Sequence, residues 1–374
     1  MRIHRRPALL LVLIGFFAFW WAKPTEIYGV MAHLEPYALS ASSPAEGEPR
    51  GVRQASLAIR VQDAKQGKPV GNATITLSIA KVLQTDANGE LLVEDIVIPD
   101  MAHPITITVE AAGFGTWTLT NARLMADDTL IVDAELSDKP ILIEVPVPRA
   151  LTPLAQVWEP SVPSILLPSA RPLYYSTTIP PPTIRVRVTG STVCNTSTPY
   201  TVQSVPFNDY VKHVLPNEWI AGWHQESLRA GAMAVKTYAW HWVNWGGKWP
   251  DADVYDSTCD QVYNPAVSYA KTNAAVDATW DYRMTNGGQI FHASYRAYHS
   301  QCSANSYPGC LGQYDSNTMA NAGWLWPAIL TYFYQDITIS PVGTPTATPT
   351  PTLTPTATST PTETPTETPT ETPT

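Results

Sequence analysis

Val205-Pro206-Phe207-Asn208-Asp209-Tyr210-Val211-Lys212-His213-Val214-Leu215-Pro216-Asn217-Glu218-Trp219 is the stretch from which the rest of this 374-residue chain can be read. Asn208 or Asp209 can cap a short helix reaching Leu215, and Pro216 is expected to break it. Beyond the break, Leu228, Ala232, Val235, Ala239 and Trp242 recur at three- and four-residue steps, which places a second, longer helix from about His224 to Val243 with one buried stripe. Arg229 and Lys236 are seven residues apart, two turns and roughly 10 Å along the axis, so they leave a common face beside that stripe. Upstream, Ile184-Arg185-Val186-Arg187-Val188 reads as a strand. Helices and strands mixed in this way predict an α+β domain over 183–337.

Thirteen tryptophans stand beside only 7 phenylalanines. That is an odd balance for a core filler, because a buried indole needs a partner for its N–H. Six of them, Trp219, Trp223, Trp240, Trp242, Trp245 and Trp249, crowd this one segment, with Trp280, Trp324 and Trp326 later. Flat indole faces suit the C–H faces of sugar rings, and Trp219 and Trp223 flank the break that holds Glu218; Trp242, on the helix stripe, is expected in the core. A carboxyl packed against indole away from water favours its protonated form, as a general acid on a glycosidic oxygen requires. Arg229 and Lys236, facing the same cleft, would hold an anionic group of the substrate. The net charge of -9 gives no basic field for nucleic acid.

Toward the N-terminus, Leu57, Ile59 and Val61 alternate with polar neighbours. Ile75, Leu77 and Ile79 do the same, as do Ile105, Ile107 and Val109, and then Leu130, Val132 and Ala134. This period of two, punctuated by turn signals such as Asp86-Ala87-Asn88-Gly89, predicts an all-β sandwich over 55–138. Residues 1–22 pair a basic start with an uncharged run from Ala8 to Ala22, the pattern of a signal peptide or signal anchor. The bulk of the chain is then extracytoplasmic, secreted or held at the envelope, and meets membrane only through that segment if it is uncleaved. Residues 23–54 read as a linker. The 35 prolines of the chain concentrate in a linker at 139–182, expected to hold its flanking domains apart, and in a Thr/Pro-rich disordered stalk at 338–374.

The four cysteines, Cys194, Cys259, Cys302 and Cys310, favour disulfides in an exported protein, with Cys194–Cys259 and Cys302–Cys310 as the preferred pairing. Zinc held through His299, Cys302 and Cys310, with His292 nearby, is the minor alternative; its spacing matches no closed structural site, so no cofactor is expected.

Two resemblances emerge from these residues. Gly67-x-Pro69-x-x-Asn72-Ala73, Thr85-Asp86-x-x-Gly89 as a hairpin, and Gly113-Phe114 resemble a transthyretin-like, carboxypeptidase-regulatory sandwich over 56–136, which implies a spacer or adhesive module. The run Val205-Pro206-Phe207 through Glu218-Trp219 and Trp223-x-x-Glu226-Ser227-Leu228-Arg229 through Tyr238-Ala239 looks like the stage II sporulation protein D family (SpoIID/LytB). That likeness continues in Gln261-Val262-Tyr263, Leu311-Gly312-Gln313-Tyr314 and Ile329-Leu330-x-x-Tyr332-x-Tyr334, and spans most of 184–335.

The second resemblance implies a peptidoglycan lytic transglycosylase that cleaves the MurNAc-GlcNAc bond to a 1,6-anhydro product, with Glu218 as catalytic acid and then base. It puts Arg229 and Lys236 at the family's helix cations, with the usual Lys and Arg exchanged, which keeps charge but alters bidentate geometry. Phe291-His292-Ala293-Ser294-Tyr295-Arg296 departs from the family's Ser-Gly-Gly stretch and the following loop is short, so the groove near His292 is expected to be rebuilt around a Cys302–Cys310 link. Two alternatives stand beside the enzyme: a non-catalytic peptidoglycan-binding module of the amidase-enhancer kind, partnered by a cell-wall amidase, and a structural or adhesive surface protein. Sporulation itself does not follow from the resemblance, because such a domain also serves general wall remodelling.

Overall fold

The computed structural model describes residues 53–145 and 176–343. The expected leader at 1–22, nearly all of the linker at 23–54, the middle of the proline-rich linker and the Thr/Pro stalk beyond 343 lie outside the described residues.

Eight strands build the first domain: β1 (Arg53–Asp63), β2 (Thr74–Leu77), β3 (Lys81–Gln84), β4 (Glu90–Ile98), β5 (Ala102–Glu110), β6 (Trp117–Met125), β7 (Thr129–Leu136) and β8 (Ile141–Glu144). One sheet runs β4-β1-β7 and the other β3-β2-β5-β6-β8, and they face each other as a sandwich. The alternating residues named above fill the space between them: Leu57, Val61, Ile75, Ile107, Val109, Leu130, Val132 and Ala134 are all fully buried. Burying one face of each strand in this way pins the register, since a one-residue slip would turn the whole apolar set to water. β8 falls inside the expected linker, so the sandwich extends to residue 145.

The Asp86–Gly89 segment turns as expected, with the Asp86 carboxylate accepting from the N–H groups of Asn88 at 2.9 Å and Glu90 at 2.8 Å. It is not a hairpin. β3 pairs with β2 while β4 pairs with β1, so the turn carries the chain from one sheet to the other. Gly89 is needed at this corner: its φ is +74°, and a Cβ there would lie 2.5 Å from the Val61 carbonyl oxygen.

In the second domain, β9 (Thr183–Val188) pairs with β10 (Thr201–Pro206) and β11 (Val254–Tyr255). Helix α1 (Phe207–Glu218) leads into α2 (Gln225–Asn244), the 20-residue axis of the domain. Around α2 pack α3 (Ala270–Thr279), α4 (Gln313–Asn321) and α5 (Trp326–Phe333). Leu228, Ala232, Val235 and Ala239 form the buried stripe expected of α2, whereas Trp242 lies half-buried at its end. Two further expectations for α1 are corrected. The helix starts at Phe207 from Pro206 without a side-chain cap, and it runs through Pro216 to Glu218. Val214, Leu215 and Pro216 are all buried, and that packing outweighs the one hydrogen bond a proline removes in the last turn.

The two domains are joined rather than held apart. Strand β12 (Val267–Tyr269) of the second domain pairs antiparallel with β7, adding a fourth strand to the β4-β1-β7 sheet. Ala221, Ala266, Val267 and Tyr269 enter the sandwich core, and the Tyr269 hydroxyl donates to the Arg123 carbonyl at 3.0 Å. An open strand edge is a pairing surface, and β12 covers the edge that β7 would otherwise expose. The end of the expected linker also packs, because the Ser176 carbonyl accepts from Trp240 at 2.9 Å and Asn244 at 3.0 Å.

Candidate functional site

Glu218 is the last residue of α1, and its side chain is completely buried. Its Oε1 accepts from the Val262 backbone N–H at 2.8 Å, and its carbonyl accepts from the Gln313 side chain at 2.8 Å. Gln313 opens α4 and is itself fully buried, and the Ser316 hydroxyl one turn on links to Ser227 of α2 at 2.7 Å. Three segments remote in sequence, 207–218, 261–262 and 313–316, therefore close around this one residue.

The segment ending at Val262 is tied down residue by residue. Gln261 accepts from the Tyr210 hydroxyl at 3.1 Å and donates to the Tyr295 hydroxyl at 3.0 Å. The Asp260 carboxylate accepts from Tyr238 at 2.9 Å, Lys248 at 2.6 Å, Trp249 at 2.7 Å and the Tyr255 N–H at 2.7 Å. A buried carboxylate surrounded by this many donors is satisfied and rigid. Burial, reinforced by the Asp260 charge, pushes the Tyr210 and Tyr238 phenols well above their ordinary range, so both stay neutral donors. Sequence reasoning did not single out Asp260, Tyr210 or Tyr295 for this network; the only signal for Asp260 is its place beside Gln261-Val262-Tyr263.

Several expected site residues lie elsewhere. Trp219 is fully buried with its ring edge-on to Tyr295, 5.0 Å between centroids, and its N–H has no acceptor among the described residues. It is core rather than a sugar platform, wedged so tightly on Gly231 of α2 that a Cβ there would sit 2.6 Å from the indole. Lys236 is also buried, its ammonium donating to the carbonyls of Thr279 at 2.7 Å, Trp280 at 3.2 Å and Tyr282 at 2.7 Å. It therefore holds the C-terminal end of α3, with its ammonium turned away from solvent; burial pushes its pKa down to about 7, with Asp281 opposing. Arg229 shares that face of α2, pairs with Glu226 and lines a groove beside the start of α3. The common face expected of the two cations exists, but it is the face packed on α3.

Trp223 is half-buried and meets Tyr314 edge-on at 4.9 Å; Tyr314 stacks on Tyr298 at 4.7 Å and 8°. With Tyr298 exposed, these rings form a short aromatic run beside α4. His292 belongs to a second aromatic cluster, 4.8 Å from Tyr238, 5.7 Å from His241 and 5.6 Å from Trp242. Burial lowers the His292 pKa to about 3, helped by the charges of His241, Lys248 and Arg296, and lowers that of His241 to about 4. Both rings are neutral near pH 7, and the Asp260 bond to Tyr238 connects this cluster to the segment that holds Glu218.

Cys194 is bonded to Cys259 and Cys302 to Cys310. Cys302 and Cys310, two of the three residues of the zinc alternative, are joined to each other here and offer no free thiolate, and His299 sets Nδ1 3.0 Å from the Cys310 carbonyl. Among the described residues no three His, Cys, Asp or Glu side chains are grouped to hold a metal ion. None of the described helices is long and apolar enough to cross a membrane.

Residues 195–285 match the SpoIID family model, described as Stage II sporulation protein. The match contains Glu218, Arg229, Lys236 and Gln261 and stops short of His292 and Gln313. An uncharacterized protein of Brachyspira hyodysenteriae is 44% identical over 64 residues, 17% of this chain and 17% of that protein. Among solved structures, a putative carbohydrate binding protein from Bacteroides uniformis is similar at 13% identity and a TM-score of 0.19, over 22% of this chain and 40% of that one. The 5-hydroxyisourate hydrolase of Klebsiella pneumoniae is similar at 19% identity and a TM-score of 0.17, over 24% of this chain and 90% of that one. Likenesses this slight carry no argument about the chemistry of this chain.

Proposed function

We propose that this chain is a cell-wall protein of the SpoIID type, acting outside the cytoplasm on peptidoglycan glycan strands, with Glu218 as the acid that cleaves them. One observation supports this reading above the others: two segments distant in sequence close on the fully buried Glu218, Val262 bonding its carboxyl and Gln313 its backbone carbonyl, and Glu218 lies inside the part of the chain that matches the family. A fully buried carboxyl is costly to maintain, and such groups concentrate at functional sites.

In the proposed reaction Glu218 protonates the oxygen leaving C1 of N-acetylmuramic acid as the glycosidic bond breaks. The carboxylate then takes the proton of that sugar's C6 hydroxyl, whose oxygen bonds to C1 and closes the 1,6-anhydro ring. One carboxyl serves both steps, unlike hydrolysis with its usual pair. Because Glu218 has no exposed surface and the 261–262 segment is tied down, substrate reaches it only if the 313–316 segment moves aside. The aromatic run of Trp223, Tyr314 and Tyr298 borders α4 and is where sugar rings would stack. The sandwich, transthyretin-like in its two-sheet architecture, acts as the rigid spacer.

The same burial favours a second reading, a module that grips glycan and recruits a cell-wall amidase while Glu218 stays closed. The full chain incubated with glycan strands stripped of peptides, and analysed by mass spectrometry, decides between them. Anhydro ends from wild type and none from Glu218→Gln support the enzyme. Binding without products supports the module, and products that persist in Glu218→Gln remove Glu218 as catalyst.

A further inference from the structure

We propose that the groove at the seam of the two domains binds the zwitterionic end of a peptide, an ammonium and a carboxylate close together, such as a peptidoglycan stem ending in a free diamino acid. The identity of the peptide rests on the cell-wall reading above; the charge pattern that selects it does not.

The groove has a volume of about 650 Å³, within the usual range for a small ligand. Asp95, Asp127 and Asp128 line it from the sandwich, and Gln225, Arg229 and Lys271 from the helical domain. The sandwich residues are placed by backbone irregularities. Asp95 lies in the β4 bulge opposite the Ala55 to Leu57 stretch of β1, and Asp127 in the β6–β7 turn, where its N–H donates to the Gln54 carbonyl at 2.8 Å. Neither carboxylate has an ion-pair partner among the described residues, and both are exposed to the groove.

Two buried atoms point to what is missing. Asp128 is 6% exposed; its Oδ1 accepts from Thr129 at 2.8 Å and Lys271 at 3.1 Å, while Oδ2 has no partner among the described residues. Across the seam, Arg229 spends one end of its guanidinium on Glu226, and its Nε is buried with no partner among the described residues. Asp128 and Arg229 thus line opposite walls of one groove, and each has a buried polar atom just beneath its surface without a partner among the described residues, a cost that a small local shift toward a ligand of the complementary sign would remove. Burial holds the Asp128 carboxyl above its usual range despite both backbone bonds and Lys271, as expected of a carboxylate short of a cation.

The chemistry narrows the ligand. A bare metal ion is disfavoured because the acidic residues are not grouped closely enough to coordinate one. A polyanion is repelled by three carboxylates. An ammonium on the wall of Asp95, Asp127 and Asp128, with a carboxylate on Arg229 and Lys271, meets both walls with the opposite charge.

Isothermal titration of the full chain with a synthetic stem tripeptide ending in a free diamino acid tests this. Binding should weaken roughly tenfold or more when the terminal amine is acetylated, when the carboxylates are amidated, in Asp95→Asn/Asp127→Asn, and in Arg229→Gln. The Asp95 and Asp127 changes lie on exposed positions, so the pair decides the matter even if Arg229→Gln fails to fold. No binding by wild type, or binding indifferent to the blocked peptides and the aspartate pair, overturns the proposal. Peptide-free glycan is the substrate in the cleavage assay, so either proposal can fail without the other.

Discussion

The side chain of Gln313 donates to the backbone carbonyl of Glu218 at 2.8 Å, across 95 residues of sequence and with both groups fully buried. The last turn of a helix leaves carbonyls without an intrahelical donor, and here a second helix supplies one from its first residue. The Glu218 carboxyl is thus positioned by its own backbone as well as by Val262.

Gln313→Ala is expected to leave that carbonyl unpaired in the core. The cost should be about 1–3 kcal/mol in denaturant unfolding. Gln313→Glu, similar in shape but bringing an acceptor against an acceptor, should be at least as damaging; equal stability of all three proteins would show the bond to be unimportant.

Gly231→Ala should destabilise the domain by about 1–3 kcal/mol, because the new methyl meets the fully buried Trp219 ring at 2.6 Å. The check is the unfolding midpoint combined with tryptophan fluorescence, which should report a displaced indole. Trp219→Ala should cost more, about 3–5 kcal/mol, by opening a cavity.

Lys236→Met keeps the volume of the side chain but withdraws the donor shared by Thr279, Trp280 and Tyr282. Stability should fall by roughly 1–3 kcal/mol, the cost of stranded buried acceptors. Glycan affinity, measured on the folded fraction, should stay within about twofold, since the ammonium faces α3 and not solvent. A variant of full stability with lost affinity would return Lys236 to the substrate.

Acid should unfold the domain through its neutral histidines. His241 and His292 have folded pKa values of about 4 and about 3, below the ordinary 6.5, so the unfolded chain binds more protons under pH 6.5. Their contribution is therefore fully present above about pH 6.5 and is lost as pH falls through about 4 and then about 3. Melting temperature followed from pH 7 to pH 4 should drop in wild type and drop less in His292→Phe, with the difference reaching a few kcal/mol in order of magnitude.

The sequence by itself determined the elements whose residues carry their own period. Leu57, Ile59 and Val61 had to form a half-buried strand, and Leu228, Ala232, Val235 and Ala239 a helix stripe, because burial on one face repeats every two or every 3.6 residues whatever the partner. The common face of Arg229 and Lys236 was legible too, from their seven-residue spacing. What lay against that face was not legible. Only the tertiary structure decided that α3 covers it, that Trp219 is core while Tyr298 and Tyr314 are not, that Pro216 stays inside α1, and that β12 joins the sandwich. Each of these depends on a partner far along the chain. A cation, an indole or a three-residue strand has the same local pattern whether it faces water or another domain, and only the packing partner settles which free energy applies.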